Sequence, residues 1–335
     1  MEQLFDFAQT FLTQFQKPTL AFLLGGMLIA ALGSKLEIPD AIYRFIVFML
    51  LMRIGLKAGQ EIRNADLAAL LLPALIAAVV GCLVVVIARQ TLSRLPGVKR
   101  DDAIATGGLF GAVSASSLAA AMILMEEDSI VFEAWVPALY PFMDIPALVL
   151  AIVLASLHEK RKAGGDQAEV PVWPIIKDSL RGSALSALLL GMALGLFTQP
   201  DRVLESFYDP LFRGLLSILM LVMGMEAYAR LAELRRVAHW YLVYAAIAPV
   251  CHGMIAFGLG TVAHFLTGFS PGGVILLAVM AASSSDISGP PTLRAGIPSA
   301  NPSAYIGAST SVGTPVAIAI CIPLFIALGE IVFAS

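Results

Sequence analysis

Ala281-Ala282-Ser283-Ser284-Ser285-Asp286-Ile287-Ser288-Gly289-Pro290-Pro291 is the stretch on which the reading of this chain turns. Four serines, an aspartate, a glycine and two prolines interrupt an oily run, and Val274 to Met280 before them is wholly apolar. These residue types are poor inside a helix, and proline also removes a backbone donor. In a bilayer, freed backbone groups are tolerated only where protein or a watery cavity satisfies them. The stretch therefore predicts a broken membrane helix facing an interior site. Gly107-Gly108-Leu109-Phe110-Gly111-Ala112-Val113-Ser114-Ala115-Ser116-Ser117 is a second stretch of the same kind.

The rest of the chain supplies the membrane context. Of 335 residues, 59% are hydrophobic and 13% charged, against roughly 25% charged in soluble domains. Apolar segments recur along the whole length, which predicts an all-α, polytopic membrane protein. Ten spans are expected, near 18–33, 41–56, 67–89, 103–124, 135–157, 183–198, 210–227, 240–266, 272–293 and 303–329. The first, second and sixth are short. Residues 4–15 distribute Leu4, Phe5, Phe7, Phe11, Leu12 and Phe15 as an interfacial amphipathic helix would. A net charge of −3 argues against a nucleic-acid partner. Cys82, Cys251 and Cys321 lie in apolar segments, at spacings that suit neither a metal site nor a disulfide framework.

The polar segment 158–182 is expected to be a linker between related halves, 1–157 and 183–335. Arg44 and Arg213, Gly55 and Gly224, Cys82 and Cys251, and Pro146 and Pro315 are each 169 residues apart. Ser114 and Ser284 fall at nearly the same offset. Several matches at one offset predict an internal repeat of five spans. Five is odd, so the second copy enters from the opposite side, and the ligand site of such inverted repeats lies between broken helices near the midplane. With the N-terminus outside, 14 of the 21 basic residues fall in inside loops and 5 in outside segments. The positive-inside rule then puts both termini outside and the linker in the cytoplasm.

The breaks themselves limit the chemistry. Half-helix N-termini suit a small anion, and unwound carbonyls with half-helix C-termini suit a hard cation such as sodium. Ser114, Ser116 and Ser117 come from one break, and Ser283, Ser284, Ser285 and Ser288 from the other. Neither break contains Arg or Lys, so the anion is expected to be small and held by dipoles and hydroxyls. Asp286, a carboxylate at mid-membrane, is either a cation ligand or a cap and internal partner of the second half-helix. Asp144 has a cation or gating role, or a structural hydrogen bond. Ser309, Thr310, Thr314 and Asn301 add oxygens or serve helix packing. His252 and His264 read as structural. A co-transported sodium ion cancels the cost of bringing an anion in against the membrane potential, about 2.3 kcal/mol per 100 mV. An intramembrane serine hydrolase needs a base beside a serine, and neither break holds a His or Lys.

At Ala105-Thr106-Gly107-Gly108-Leu109-Phe110-Gly111-Ala112-Val113-Ser114, at Ala138 to Ala147, at Phe207 to Gly214 and at Ser283 to Asn301, the chain resembles the sodium-dependent bicarbonate transporter (SbtA) family of cyanobacteria and other bacteria. The resemblance covers nearly the whole chain. It implies a secondary active symporter, not an enzyme, in the bacterial inner membrane. It implies ten helices in core and gate domains, elevator-like movement and sodium-coupled bicarbonate import serving inorganic carbon accumulation. It also implies a homotrimer set in membrane lipid, controlled from the cytoplasm by a PII-like regulatory protein, with sodium as co-transported ion and no organic cofactor. Carried onto this sequence, bicarbonate meets Phe110, Gly111, Ala112, Val113, Ser114, Ala115, Ser116 and Ser117 with Ser283, Ser284, Ser285, Ile287, Ser288 and Gly289. Sodium meets Asp286, Ser285, Thr106, Ser114, Asp144 and Asn301. Where the family often reads Gly-Ser-Thr, this chain has Ala115-Ser116-Ser117. Its linker is also shorter than the long acidic one of some members. A sodium-coupled transporter of another small or organic anion is the nearest rival reading, and a passive anion channel a further one.

Overall fold

The computed structural model describes residues 9–64, 67–162, 172–237 and 239–333. Among them every regular element is helical. In chain order these are α1 Pro18–Ala31, α2 Asp40–Asn64, α3 Leu67–Leu92, α4 Arg100–Gly111, α5 Ala115–Glu127, α6 Tyr140–Lys162, α7 Val172–Leu180 and α8 Ser183–Phe197. There follow α9 Asp209–Val237, α10 His239–Thr267, α11 Pro271–Ala282, α12 Gly289–Gly296 and α13 Pro302–Phe333, the last containing two π turns.

Six helical stretches among the described residues are long and apolar enough to cross a membrane, and a seventh if α7 and α8, bent by 72° at their junction, count as one. The chain is thus a multi-pass membrane protein. Helix α1 has 14 residues and α11 has 12. At 1.5 Å per residue these are roughly 20 Å long, against about 30 Å of hydrocarbon. Residues 9–14 are helical, and the start of the expected interfacial helix over 4–15 lies outside the described residues. So does the middle of the expected 158–182 linker. Its second part holds α7, whose Trp173 is exposed.

Helix α2 is the clearest departure. The charges from Arg53 onward mark the end of a short span in the sequence, yet the helix runs 25 residues to Asn64. Partners on other helices explain this. Arg53 Nε donates to Asp209 Oδ1 at 2.7 Å, and its guanidinium lies 3.9 Å from the centre of the Phe212 ring. Lys57 Nζ is 3.1 Å from the same carboxylate oxygen, and Gln60 Nε2 donates to Asp201 Oδ1 at 2.8 Å. Arg63 donates to the carbonyls of Gly195, Leu196 and Thr198, capping the end of α8 with a cation where the helix dipole is negative.

Two helix pairs form one group: α2 packs along α8, and α1 along α9. Both pairings are backbone-close. A Cβ on Gly55 of α2 would sit 2.4 Å from the Leu188 carbonyl oxygen, and one on Gly224 of α9 would sit 2.0 Å from that of Leu23. Small residues at such crossings let membrane helices approach by van der Waals packing. A second group gathers around α4, α5, α11 and α12. Helices α3 and α6 flank α4, while α10 and α13 flank α11. Nearly every residue of α4, α5 and α11 is buried within the chain. The broken helices are therefore shielded from lipid by their neighbours, as freed backbone groups require.

Candidate functional site

Each break starts where a helix-compatible residue gives way to extended backbone. Helix α4 stops at Gly111, and Ala112 has φ −90°, ψ 160°. Helix α5 restarts at Ala115 behind Ser114, whose Oγ accepts from the Ser117 amide at 3.1 Å, a serine N-cap. Helix α11 stops at Ala282 with Ser283 extended, and α12 restarts at Gly289 with Pro290 and Pro291 in its first turn. Ser285 Oγ accepts from the Gly289 amide at 2.8 Å. Two helix N-termini and two helix C-termini thus border the breaks.

The breaks satisfy one another. The Ser114 amide donates to Ser283 Oγ at 2.9 Å, and that hydroxyl donates to the Met280 carbonyl at 2.7 Å. In return the Ser285 amide donates to the Leu109 carbonyl at 2.9 Å. Asp144, fully buried in α6, accepts the Val113 amide on Oδ1 at 3.1 Å. The α13 π turn at Ser309–Gly313 supports the second break: Ser309 Oγ donates to Ser284 Oγ at 2.9 Å, and Thr314 Oγ1 lies 3.3 Å from the same atom. Gly313 is needed there, because a Cβ would stand 2.7 Å from the Phe110 ring and 3.0 Å from Ser284 Oγ.

Asp286 closes a directed chain of hydroxyls. Ser116 Oγ donates to Asp286 Oδ2 at 2.7 Å. Ser114 Oγ, already accepting from the Ser117 amide, is 2.8 Å from Ser116 Oγ and is left to donate to it. The carboxylate of one break is thereby tied to the N-cap of the other. Two buried oxygens at the breaks, Ser117 Oγ and Asp144 Oδ2, have no hydrogen-bond partner among the described residues. Buried polar atoms are normally paired, so these two are points where a bound group would be satisfied.

The serines of both breaks, Ala112, Val113 and Ala115, Phe110 and Gly111, Ile287 and Gly289, Asp286 and Asp144 all come to this crossing. Two expected cation ligands do not. Asn301 is exposed; its side chain caps the start of α13 by accepting from the Ser303 amide, and its own amide donates to Asp102 Oδ1. Thr106 donates to the Asp102 carbonyl one turn back along α4, more than a turn before Phe110. The family resemblance placed them on the site, whereas both are tied to Asp102 at the start of α4. His264 Nδ1 donates to the Phe269 carbonyl at 2.6 Å, a local tie. His252 is buried beside Tyr244 and the edge of Phe110.

Some residues at the site are visible only in three dimensions. Tyr140 OH lies 3.4 Å from Ser288 Oγ. Tyr244 packs edge-on against Phe110, ring centres 5.3 Å apart. Beside Asp286 a cavity of about 420 Å³ opens between the two helix groups, lined by Asp40, Tyr43, Arg44 and Glu226 from one and Asp286, Pro290, Arg294 and Thr310 from the other. Arg44 carries a sequence signal, the repeat match to Arg213, but nothing there points to a cavity.

No curated protein matches the chain closely enough to count as a relative. A family model, the Na+-dependent bicarbonate transporter superfamily, matches residues 18–330, which include both breaks, Asp144 and the cavity. With 335 residues in all and nearly every one inside that match, this chain belongs to the Na+-dependent bicarbonate transporter superfamily.

Proposed function

We propose that the protein is a sodium-coupled bicarbonate importer, a secondary active symporter and not an enzyme. The observation that carries the reading is the crossing itself: two helix breaks bonded to each other, free of basic residues, with Asp286 joined to the opposite N-cap through Ser116. Bicarbonate is small, planar and singly charged. The α5 and α12 N-termini and the hydroxyls of Ser114, Ser116, Ser117, Ser283, Ser284, Ser285 and Ser288 suit it, with Phe110, Gly111, Ala112, Val113, Ala115, Ile287 and Gly289 shaping the pocket. Sodium takes oxygen ligands; Asp286, Ser114, Ser285 and Asp144 supply them in this reading, without Thr106 and Asn301.

The finer architecture belongs to the same proposal. Ten spans form two inverted repeats of five, 1–157 and 183–335. The reciprocal packing of α1 on α9 and α2 on α8, with the matched Gly55 and Gly224 at the two contacts, supports it. The helix group holding the breaks acts as the core domain and the other as the gate, sliding past each other in elevator-like fashion. Both termini lie outside in a bacterial inner membrane and the linker in the cytoplasm, so the cavity beside Asp286 opens inward. A homotrimer in membrane lipid, a PII-like cytoplasmic regulator and a part in inorganic carbon accumulation follow from the family resemblance.

Purified protein in proteoliposomes tests the reading. Labelled bicarbonate should accumulate when sodium is outside, and uptake unchanged with choline in place of sodium would remove the symport. The second reading, sodium-coupled transport of another small or organic anion, predicts that such an anion outcompetes bicarbonate in the same assay.

A further inference from the structure

The cavity beside Asp286 brings a feature that neither break has, a basic side chain. Arg44 lines it from the first turns of α2, on the helix group that does not carry the breaks. Its side chain is exposed, and among the described residues it has no ion-pair partner. The two other arginines of α2 behave differently. Arg53 is held by Asp209 and Phe212, and Arg63 by the end of α8. Arg44 thus keeps its donors available to a cavity whose charged lining sets the local field.

We infer that Arg44 is a second docking point for the transported anion, on the gate side of the cavity and apart from the serine-lined crossing. This inference rests on the transport reading above. The chemistry is that of a planar oxyanion. A guanidinium offers two parallel N–H groups matching a carboxylate edge, and bicarbonate presents the same O–C–O edge. The crossing holds its anion by dipoles and hydroxyls alone, so an anion leaving it meets its first full positive charge at Arg44 or Arg294. Arg294 travels with the break on α12, whereas Arg44 stands on α2, across the seam. Asp286 lines the same space and repels an anion. A sodium ion leaving Asp286 restores that repulsion, and Arg44 offsets it while the anion departs. The residue is accordingly a specificity and release determinant for the cavity side, not part of the crossing.

The test uses full-length protein in proteoliposomes sorted by orientation, with labelled bicarbonate and sodium applied to either face. Wild-type protein must first show sodium-driven bicarbonate movement; its absence would overturn the transport reading, and with it the inference that rests on it. Given that activity, Arg44→Gln should raise the half-saturating bicarbonate concentration at the cavity face about tenfold, the order expected for losing a charge-assisted bidentate contact. Half-saturation at the opposite face and the sodium activation curve should stay as in wild type. Arg44→Lys should recover only part of the loss, because an ammonium keeps the charge without the planar fork. An unchanged cavity-face value in Arg44→Gln overturns the inference, as does full recovery by lysine. An equal loss at both faces with lowered thermal stability also overturns it, by making Arg44 structural.

Discussion

The Ser114 amide donates to the Ser283 hydroxyl at 2.9 Å, joining two residues 169 apart in the sequence, the same offset that relates Gly55 to Gly224 and Pro146 to Pro315. One break therefore completes the backbone of the other. A ligand held between the breaks would touch both at once, so a change in either break would be felt at one point.

Removing that hydroxyl leaves the Ser114 amide buried without an acceptor. Ser283→Ala should cost about 1–3 kcal/mol, the penalty for an unsatisfied buried group. Thermal unfolding of the detergent-solubilised protein should show a lowered midpoint. Ser283→Thr, which keeps the oxygen, should lie closer to wild type. Equal midpoints for Ala and wild type would mean that water or relaxation replaces the bond.

Asp286 and Ser116 form the charged end of the hydroxyl chain, 2.7 Å apart. Asp286→Asn keeps the shape and removes the charge. The expected result is a folded protein whose bicarbonate uptake needs far more sodium. Ser116→Ala should shift sodium activation in the same direction by a smaller factor, since the carboxylate remains. Normal sodium activation in Asp286→Asn would restrict that carboxylate to tying the breaks together.

Asp144 Oδ1 holds the Val113 amide at 3.1 Å while Oδ2 has no partner among the described residues. Two substitutions separate these atoms. Asp144→Asn retains an acceptor for Val113 and should fold with near-native stability. Asp144→Leu removes it and should lose about 1–3 kcal/mol. If Oδ2 serves an ion, transport falls in both variants; if Asp144 only braces the break, transport survives in Asn and follows stability in Leu.

The seam between the helix groups is open beside Asp286 and clamped at its other end. Lys17 Nζ is 2.5 Å from Asp128 Oδ1, and Arg53 lies 3.7 Å from Glu126. Arg53 is nine residues beyond Arg44 on α2, roughly 14 Å along the axis. The double variant Glu126→Gln with Asp128→Asn removes both cross-group pairs. It should increase the rate at which a cysteine placed at the buried Met125 reacts with a membrane-impermeant thiol reagent from the far side. A rate equal to that of the single cysteine control would show that packing, not charge, closes that end.

What the chain announces by itself is the conflict between composition and neighbourhood. Serine, glycine and proline inside apolar runs are incompatible with unbroken membrane helices, so Gly107–Ser117 and Ser283–Pro291 could be read as breaks without coordinates. The position of Asp286 within a break, and the absence of basic residues from both, are equally local facts. The extent of α2 is not local. Its charges look like a span's end until Asp209, Phe212 and the α8 terminus are seen to satisfy them. Nor is the fate of Thr106 and Asn301, which adjoin the site in sequence and lie away from it in space. The pairing of Ser114 with Ser283, of Val113 with Asp144 and of Ser116 with Asp286 was decided by tertiary structure alone. So was the cavity at Arg44. Residue type fixes what a side chain can donate, accept or carry; which atom it meets depends on how helices distant in sequence are rotated and packed against one another.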